Sequence, residues 1–337
     1  MDDIGIIVVS WHDAADLYEA VASLAKARAA APPDGPSVRL TVVINGGDAS
    51  PREIEARWPD ARVLVNADNR GFGPAANQGA AATPAPILLF LNPDTRAEGD
   101  PFGAIARGFR ERPEAVALAP RLLDAESPNG AAPGADAARL APPGRENQFT
   151  FQLRALPTLA SDARELLLFD HLFPNNRGRR RSRYADRDPE RPLPVAQAAA
   201  AALAVRADAF RRIGGFAEEF TPAWFEDVDL CARLAPLGKI LYWPVARFRH
   251  RGGVASARLG YATFLPLYYR NALRYRRRRY GPAARAAYRA LLPVGMLLRL
   301  AVLPFRRSDP RPKGESAHAY LAVLRLALGP GARVMTA

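Results

Sequence analysis

The sequence predicts an α/β protein with a mostly parallel sheet, helices on both faces of that sheet and a basic helical extension at the C-terminal end. Strand-like apolar runs alternate with helical segments over the first 120 residues, an order typical of a parallel sheet. The first run, Ile4–Ser10, is apolar almost throughout, as expected of a strand covered on both faces. The formal net charge is +13, and residues 270–313 hold thirteen Arg or Lys against one acid, so the excess lies near the C-terminus.

Composition and turn signals place the remaining elements in order. After the first strand we expect a helix over 14–30, strands over 38–44 and 62–66, a helix over 73–82, and strands over 86–91 and 115–119. Residues 121–150 are rich in Pro, Gly, Ala and Asp and are predicted to form a long loop. The later expected elements are helices over 162–169, 207–213 and 225–234, irregular chain over 174–192, extended chain over 194–205, strands over 239–243 and 245–250, and a helical region from residue 261 onward.

Composition excludes several classes of protein. With 337 residues, of which 49% are hydrophobic, the chain can bury a large core and is not a disordered protein. The single cysteine, Cys231, allows no disulfide within the chain and no cysteine-based zinc cluster, which favours a reducing compartment. The N-terminal apolar run is interpreted as a strand and not a signal peptide, because no basic segment precedes it. The apolar run 291–305 contains Arg299 and is shorter than the ~20 residues of a membrane span, so no spanning helix is expected.

Two acidic motifs lie where chemistry is expected. Asp94 follows the apolar run 87–91, and ligands of open α/β sheets bind at the carboxyl ends of strands. A carboxylate at that place suits a divalent cation. Glu226 and Asp227 open a predicted helix, and a carboxylate there could act as a general base. Structural alternatives exist for both motifs, since Asn92-Pro93-Asp94 is also a turn sequence and acids in a first helical turn are favoured by the helix dipole.

The joint order and spacing of the motifs resemble those of the family-two glycosyltransferases of the GT-A fold, especially the bacterial rhamnosyltransferase-like enzymes of cell-envelope glycan assembly. The resemblance covers residues 4–255. The motifs that carry it are Val9-Ser10-Trp11-His12, Asn69-Arg70-Gly71-Phe72-Gly73 with Asn77 and Gly79, Phe90-Leu91-Asn92-Pro93-Asp94-Thr95, Gly214-Gly215-Phe216, Phe225-Glu226-Asp227-Val228-Asp229-Leu230, and His250 before Gly252-Gly253.

This resemblance implies a role for each site residue. Asp227 is the expected general base and Glu226 aligns the acceptor, with Trp224 and Asp229 also on the acceptor side. Asp94 and His250 are the expected ligands of a divalent metal, Mg²⁺ or Mn²⁺. The residues expected to bind the nucleotide sugar are Ser10, Asn45, Asn69, Gly71, Gly73, Asn77, Asn92 and Asp94.

Two departures from the family pattern affect these expectations. The second strand ends in Ile44-Asn45, where the family usually has Asp-Asn. The aspartate that helps to recognise the nucleotide base in the family is therefore replaced by Ile44 here. Residues 198–202 are all alanine, where the family often has Gly-Ala before the acceptor site. The alanine run would narrow the room for the acceptor or shift its contacts.

The function implied by the resemblance is inverting transfer of a sugar from a nucleoside-diphosphate sugar to a hydroxyl of a cell-envelope or lipid-linked glycan, with rhamnose as the family tendency. The expected parts of the chain are a nucleotide-sugar half (1–120), an acceptor half (121–255) and a basic amphipathic tail (256–337). Arginines and tyrosines over 268–280, beside the apolar run 291–305, predict attachment to the inner face of the cell membrane. A solvated helix packed on the body is the alternative.

Other functions account for fewer of the motifs. Residues 71–76 fit the dinucleotide pattern Gly-x-Gly-x-x-Ala, but they follow the third strand and not the first, which disfavours a dehydrogenase. A nucleic-acid-binding protein would explain the arginines but leave both acidic motifs without purpose. A sugar-nucleotide pyrophosphorylase would need a lysine in an N-terminal glycine loop, and the three lysines lie elsewhere. A catalytically inactive relative of the glycosyltransferases remains an alternative.

Overall fold

A computed structural model describes residues 3–124, 148–252, 259–306 and 311–329. The chain divides into two compact units. Of the described residues, the first unit holds 3–124, 148–156 and 183–252, and the second unit holds 157–182, 259–306 and 311–329. Both units are therefore discontinuous in sequence. The three predicted parts of the chain, with boundaries at 120 and 255, stay a prediction.

All strands of the described residues belong to the first unit, and they form one large sheet and one small one. The large sheet has the order β3-β2-β1-β4-β10-β6-β11-β5, with β8 added beside β11, and β7 pairs with β9 in the small sheet. The strands are β1 Ile4–Ser10, β2 Val38–Asn45, β3 Arg62–Asn66, β4 Ile87–Leu91, β5 Thr95–Glu98, β6 Ala115–Asp124, β7 Leu153–Arg154, β8 Leu193–Pro194, β9 Gln197–Ala198, β10 Ala202–Arg206 and β11 Lys239–His250.

The helices follow in the same chain order. They are α1 Ala14–Ala29, α2 Pro51–Glu55, α3 Phe72–Ala81, α4 Pro101–Glu111, α5 Gln148–Gln152, α6 Leu159–Leu166, α7 Phe169–Leu172, α8 Arg177–Ser182, α9 Ala207–Arg212, α10 Glu226–Leu234, α11 Tyr261–Val302 and α12 Lys313–Leu328, with a 3₁₀ turn at Leu303–Phe305. The second unit consists of α6, α7, α8, α11, the 3₁₀ turn and α12.

Parallel pairing dominates the N-terminal part of the large sheet. β1 lies between β2 and β4, parallel to both, and β3 extends the parallel set beside β2. Alternate residues of β1 enter different cores, with Ile6 and Val8 on one face and Ile7 and Val9 on the other. The sheet is thus covered on both faces, which confirms the predicted mixed α/β fold with a mostly parallel sheet.

β10 is the antiparallel member between β4 and β6, and it brings the C-terminal part of the sheet back into parallel order. Because β10 is antiparallel to both neighbours, β4 and β6 run in the same direction. β11 is parallel to β6, so the carboxyl ends of β4 and β11 reach the same edge of the sheet. This edge is where ligands of such sheets bind.

Several elements differ from the sequence-based expectation. The expected pair of strands over 239–250 is one strand, β11, whose register against β6 shifts between Trp243 and Arg247. Pro244 lies in that irregularity, where its missing N–H breaks no regular ladder. The loop expected over 121–150 begins later than predicted, because β6 continues to Asp124, and residues 125–147 lie outside the described residues. The elements that were not predicted are α2, β5, α4, α5, β7, α7 and α8.

The second unit is a small helical assembly built on α11. This helix is kinked at Gly281, whose φ of 86° breaks the helical conformation. The predicted helical region from residue 261 is confirmed, but part of its basic segment is buried: Arg276 forms an ion pair with Asp162 of α6, and Tyr269 and Tyr275 are in the core. The arginines that stay exposed in this segment are Arg277, Arg278 and Arg279.

By length and composition alone, α11 together with the 3₁₀ turn could cross a membrane. The sequence predicts no such helix, because the apolar run 291–305 is short; the structure adds the helical residues before it. One helix of this kind is weak evidence, since the core helix of a soluble protein passes the same test. This finding applies to the described residues alone, which are 3–124, 148–252, 259–306 and 311–329.

Candidate active site

Asp94 and His250 meet at the carboxyl edge of the sheet. Asp94 follows the end of β4, and His250 is the last residue of β11, opposite Thr95 of β5. Asp94 Oδ1 lies 3.4 Å from His250 Nε2, and Asn92 Nδ2 lies 3.5 Å from the same nitrogen. Both Asp94 and His250 are buried. The structure therefore brings the two predicted metal ligands together, with Asn92 beside them.

Gln148 of α5 holds His250 from the other side of the ring. Its side-chain oxygen lies 3.2 Å from His250 Nδ1, and its amide nitrogen donates to the backbone oxygen of His250 at 3.3 Å. An amide oxygen only accepts, so this contact assigns the ring proton to Nδ1 whenever the imidazole is neutral. Nε2 is then the nitrogen that faces Asp94 with its lone pair available.

The carboxylate of Asp94 is held in its charged form. Burial raises the pKa of Asp94, but His250 and the N–H group of Gly252, which donates to Oδ2 at 2.8 Å, lower the pKa by more, and the net direction is downward. Gly252 has a φ of 70°, and a Cβ there would lie 3.3 Å from His250 Cε1. A glycine at this position thus lets the chain turn back to donate to Asp94 without displacing the imidazole.

This pair fits a divalent cation that also binds a diphosphate. Among the described residues, no group of three or more His, Cys, Asp or Glu lies close enough to hold a metal by itself. Mg²⁺ and similar cations bound to nucleotides need only one or two protein ligands, because phosphate oxygens and water complete the shell. Asp94 Oδ1 and His250 Nε2 supply two donors on one side and leave the remaining positions to the nucleotide.

The asparagines expected to contact the nucleotide also hold their own loop together. Asn45, at the end of β2, donates to Asn69 Oδ1 at 2.9 Å and to the backbone oxygen of Gly71 at 3.2 Å. Its oxygen accepts from Asn66 at 3.0 Å and from the N–H of Arg70 at 3.1 Å. These bonds fix the loop that leads into α3. A contact of Asn45 or Asn69 with nucleotide stays a prediction.

The loop before α3 is connected to the segment before α10 at three positions, which are Gly71, Gly73 and Asn77. Gly71 has a φ of 89°, and a Cβ there would lie 2.9 Å from Thr221 Cγ2. The next residue, Phe72, donates its N–H to the oxygen of Pro222 at 2.7 Å. At Gly73, a Cβ would meet Phe216 Cβ at 3.4 Å.

The side chain of Asn77 completes that connection. Asn77 donates to the oxygen of Phe216 at 2.9 Å and accepts from its N–H at 2.8 Å. Ser10, at the end of β1, donates to the carboxylate of Asp13. The nucleotide roles of Ser10, Gly71, Gly73 and Asn77 therefore remain predictions. The contacts at Gly71, Gly73 and Asn77 tie the loop before α3 to the segment before α10.

Glu226 and Asp227 begin α10 after two residues in the left-handed conformation. Trp224 and Phe225 have φ values of 73° and 74°, an arrangement that costs energy for non-glycine residues and is typical of functional sites. Glu226 is buried, and its Oε2 has no hydrogen-bond partner among the described residues. Trp224 and Asp227 are half-buried.

The two carboxyls of this motif have different surroundings. Burial and the neighbouring Asp227 raise the pKa of Glu226 well above its ordinary value. Burial also raises the pKa of Asp227, but hydrogen bonds from the backbones of Val228 and Ala200 and the charge of Arg154 oppose that rise. The Val228 N–H donates to Asp227 Oδ1 at 2.7 Å. The environment therefore places the negative charge of the pair on Asp227.

Asp229 is engaged within its own helix. Its Oδ2 accepts from Arg233 Nε at 2.6 Å, and Arg233 also donates to the oxygen of Ile213 at 2.8 Å. This ion pair gives Asp229 a structural role in α10, and its place in an acceptor site stays a prediction.

The alanine run 198–202 connects the two acidic motifs. The N–H of Asn92 donates to the oxygen of Ala201 at 3.0 Å, and the backbone of Ala200 hydrogen-bonds to Asp227. Cys231, one turn along α10 from Asp227, donates from Sγ to the oxygen of Ala198 at 3.6 Å. Burial raises the pKa of this thiol to about 12. The alanine run thus hydrogen-bonds to the backbone of Asn92 on one side and to the carboxylate of Asp227 on the other.

Sequence reasoning missed two residues of this site. Gln148 orients His250, and Arg154 of β7 acts electrostatically on Asp227. Both lie in the stretch 148–154, where Phe151 stacks beside His250 with ring centroids 6.5 Å apart. The only sequence signal was the presence of polar residues in an aromatic segment next to a predicted loop, which does not distinguish a site from a surface.

The chain is similar in sequence to known glycosyltransferases. Residues 5–161 match the family model for glycosyl transferase family 2. The chain is 26% identical over 271 residues to the N-acetylglucosaminyl-diphospho-decaprenol L-rhamnosyltransferase of two strains of Mycobacterium tuberculosis, a match that covers 76% of this chain and 78% of the relative.

Solved structures are similar in fold. A structure of GalNAc-T7 with UDP, GalNAc and Mn²⁺ matches with a TM-score of 0.50 and 13% identity, covering 74% of this chain but only 43% of that protein. A mannosyltransferase from Pyrobaculum calidifontis, in complex with GDP-Man and Mn²⁺, gives a TM-score of 0.49 and 14% identity over 97% of this chain and 87% of its own. With the motifs and the sheet described above, the family-model match over residues 5–161 and the similarity to the mycobacterial enzyme support a family-2 glycosyltransferase that is rhamnosyltransferase-like, and the GalNAc-T7 structure supports the GT-A fold.

Proposed function

We propose that the protein is an inverting glycosyltransferase that moves a sugar from a nucleoside diphosphate to a hydroxyl of a lipid-linked glycan. The observation that supports this most directly is the pair of carboxylate centres joined by the alanine run 198–202. One centre, Asp94 with His250, suits the diphosphate of a donor. The other, Glu226 with Asp227, suits the hydroxyl of an acceptor. The match to the family model supports glycosyl transfer. Inversion at the anomeric carbon is inferred from the two carboxylate centres.

On the donor side, Asp94 and His250 would hold a divalent metal. A bound metal neutralises the charge that develops on the leaving diphosphate. The Mn²⁺ in the structure of GalNAc-T7 supports this assignment. Gln148 keeps His250 Nε2 directed at the site, and Gly252 keeps Asp94 in its ionised form. Asn92 is placed to donate an amide hydrogen to the nucleotide sugar.

On the acceptor side, Asp227 acts as the general base. Two adjacent buried carboxyls cannot both ionise easily, so the pair prefers one negative charge. The hydrogen bonds from Val228 and Ala200 favour that charge on Asp227 and leave Glu226 protonated. A protonated Glu226 can donate a hydrogen bond to the acceptor while Asp227 accepts its hydroxyl proton. One base on the face opposite the leaving group gives inversion at the anomeric carbon in a single step.

The relative from Mycobacterium tuberculosis suggests the class of acceptor. Its name states that it transfers L-rhamnose to a sugar carried on decaprenyl diphosphate. We infer that this chain also uses an acceptor on a polyprenyl carrier, and that it works at the cytoplasmic face of the membrane where nucleotide sugars are available. Rhamnose is the first sugar to test as donor.

The test is a transfer assay with a panel of UDP-, dTDP- and GDP-sugars, Mg²⁺ or Mn²⁺ and a short-chain polyprenyl-diphosphate sugar in detergent. We expect one donor to give a product, and we expect NMR to show the anomeric configuration opposite to that of the donor. The Asp227→Asn protein is the matched control for non-enzymatic reaction. A product with retained configuration would overturn the mechanism, and no transfer or donor hydrolysis with any donor would contradict the function.

A further inference from the structure

Exposed apolar side chains are concentrated in the second unit. Sixteen large apolar side chains of the described residues are exposed, and three of them, Val65, Phe151 and Val245, belong to the first unit. The other thirteen belong to the smaller second unit. Single exposed apolar residues are normal on any protein, but a concentration of them marks a surface that contacts something apolar.

One group of these side chains forms a stripe along the C-terminal end of α11. The buried side of the helix there carries Leu292, Met296 and Leu303. The other side exposes apolar residues as well, at positions separated by three, one, four and three residues, and Phe305 in the adjoining 3₁₀ turn is 81% exposed. We call this group the α11 stripe: Val294, Leu297, Leu298, Val302 and Phe305. A helix that is apolar on both sides is expected where a second apolar medium covers the side that the protein leaves open.

A second group follows α6 in the chain. We call it the α7 patch: Leu167, Phe169, Leu172 and Phe173, of which Leu172 is 68% exposed. The end of α6 rests directly on α11, because a Cβ at Gly295 would lie 3.0 Å from Leu166 Cδ2. Arg299 donates to the oxygen of Leu166 at 2.7 Å. The α7 patch therefore begins one residue after the contact between Leu166 and the C-terminal end of α11.

Positive charge follows the α7 patch. Arg177, Arg180 and Arg181 of α8 are exposed a few residues after Phe173. The acid within the patch, Asp170, is compensated by Arg164, whose Nε lies 3.2 Å from Asp170 Oδ1. Over all its described residues, the second unit has eighteen Arg or Lys against four acids.

We propose that the α7 patch, the α11 stripe and the α8 arginines form a docking surface for an anionic lipid bilayer. Apolar side chains that enter the acyl boundary, next to arginines that meet phosphate headgroups, are the composition of an interfacial membrane site. Positive charge on this surface complements anionic lipid and repels a second copy of the same surface. This inference extends the proposed function, since a lipid-linked acceptor would be met at the same bilayer.

The docking is peripheral. α11 makes polar contacts with α6 on both sides of its kink, through Arg276 with Asp162 and through Arg299 with the oxygens of Glu165 and Leu166. A helix that crossed the bilayer would have to give up these contacts and carry both arginines into the lipid. The α6–α11 packing is instead compatible with a unit that lies on the surface with α7 and the end of α11 inserted.

The experiment is vesicle flotation with the full chain. Vesicles of phosphatidylcholine alone are compared with vesicles that contain phosphatidylglycerol, each with and without high salt. We expect binding to require phosphatidylglycerol and to weaken with salt. Replacement of Arg177, Arg180 and Arg181 by Gln should lower the partition coefficient on the order of 100-fold, since each arginine near an anionic surface contributes roughly fivefold. The control with the same charge change is Arg52→Gln with Arg211→Gln and Arg212→Gln, on exposed positions of the first unit.

Substitution of the apolar side chains tests insertion separately. Phe169→Ser with Leu172→Ser and Phe173→Ser should lower binding at least tenfold, because large apolar groups lose burial in the bilayer. These residues are exposed, so the variant should keep the melting temperature of the parent. Val65→Ser with Val245→Ser, two exposed sites in the first unit, is the matched control and should bind as the parent does.

Unchanged binding of both surface variants, or equal binding of the parent to neutral vesicles, would overturn the proposal. Release by detergent alone, and not by salt or alkaline carbonate, would contradict peripheral docking. A dimer that the surface variants convert to monomer would show that the surface contacts a second copy of the chain. Transfer to a detergent-solubilised acceptor is measured in parallel. If the wild-type protein binds vesicles but transfers no sugar, the result counts against the proposed function alone. If it transfers sugar but does not bind vesicles, the result counts against the docking surface alone.

Discussion

Glu226 and Asp227 both carry a carboxyl group in the first turn of α10, but their different hydrogen bonds and neighbouring charges give them different roles. We predict that Asp227→Asn lowers turnover roughly 100- to 10,000-fold, because general-base catalysis contributes an amount of this order and an amide cannot accept the proton. Nucleotide binding should stay nearly unchanged. Asp94→Asn should give the reverse pattern, with weakened metal-dependent nucleotide binding. Calorimetric titration with nucleoside diphosphate and Mn²⁺, beside the transfer assay, separates the two effects.

The raised pKa of the pair gives this prediction a pH dependence. Asp227 must be ionised to act as a base, so activity is present above its pKa and is lost as the pH falls through it. Because burial raises this pKa, the acid limb of kcat/KM should lie above the ~4 of an ordinary carboxyl. Near-normal turnover of Asp227→Asn would move the base to Glu226 or Asp229. An acid limb at or below the ordinary value would contradict an ionisation of Asp227 as the controlling step.

Gln148 should matter for metal binding without touching the metal. Gln148→Leu removes the acceptor that fixes His250 Nδ1, and loss of such a partner typically lowers metal affinity about 10–100-fold. Mn²⁺ binding in the presence of nucleotide, followed by electron paramagnetic resonance, measures this directly. Gln148→Glu keeps an acceptor at the same place and should retain most of the affinity. Equal affinities of all three proteins would show that Gln148 only fills space.

The residues that sequence reasoning found and those it missed differ in a physical way. Asp94 and Asp227 stand in local patterns, after an apolar strand and at a helix start, and such patterns are visible in sequence. Gln148 contacts His250 across 102 residues of chain, and no local pattern reports that distance. Arg233, the partner of Asp229, lies at position i+4 of the same helix, a spacing that is common on charged helices and does not by itself indicate a functional site.

At the scale of elements, the buried pair of Asp162 and Arg276 fastens α6 to α11. Both side chains are buried, and Arg276 also lies over the ring of Tyr288 at 4.2 Å. Asp162→Ala leaves the guanidinium buried without its acid, and such a change costs about 3–5 kcal/mol. The double variant Asp162→Ala with Arg276→Met should recover most of this loss, since no unpaired charge remains.

Urea unfolding monitored by tyrosine fluorescence and circular dichroism measures this prediction. The control is Asp60→Ala, which breaks the exposed ion pair with Arg28 in the first unit and should cost less than about 1 kcal/mol. A cost of Asp162→Ala no larger than that of Asp60→Ala would mean that apolar packing alone holds α6 on α11.

β1, β3, β4 and α10 were predicted to within a residue or two, and the edge strand β5 was not. β1 and β4 are continuous apolar runs, and α10 begins where acids follow an aromatic pair. β5 was missed because its four residues, Thr95–Glu98, have no apolar pattern and form a strand only by pairing with the end of β11. Pro244 divided the predicted strand in two, and the irregular pairing to β6 is what lets β11 continue through it.

At the scale of the whole molecule, both acidic motifs lie in the first unit, and the basic excess lies in the second unit. The sequence located the basic excess correctly, but not the fact that residues 157–182 pack with α11 in the same unit. That association joins segments about a hundred residues apart, which composition cannot reveal. A chain ending near residue 260 would lack the helix on which Asp162 and Leu166 rest. Point substitutions on the exposed face therefore test membrane docking more cleanly than such a deletion.

The buried thiol of Cys231 has a practical consequence for spectroscopy. It is the only cysteine of the chain, and its burial and raised pKa keep it in the unreactive thiol form. Maleimide dyes and nitroxide labels will therefore find no native site to modify. A cysteine introduced at Leu172 or at Phe305 would carry a label alone, and quenching by lipids with probes at known depth would report how far each residue enters the bilayer.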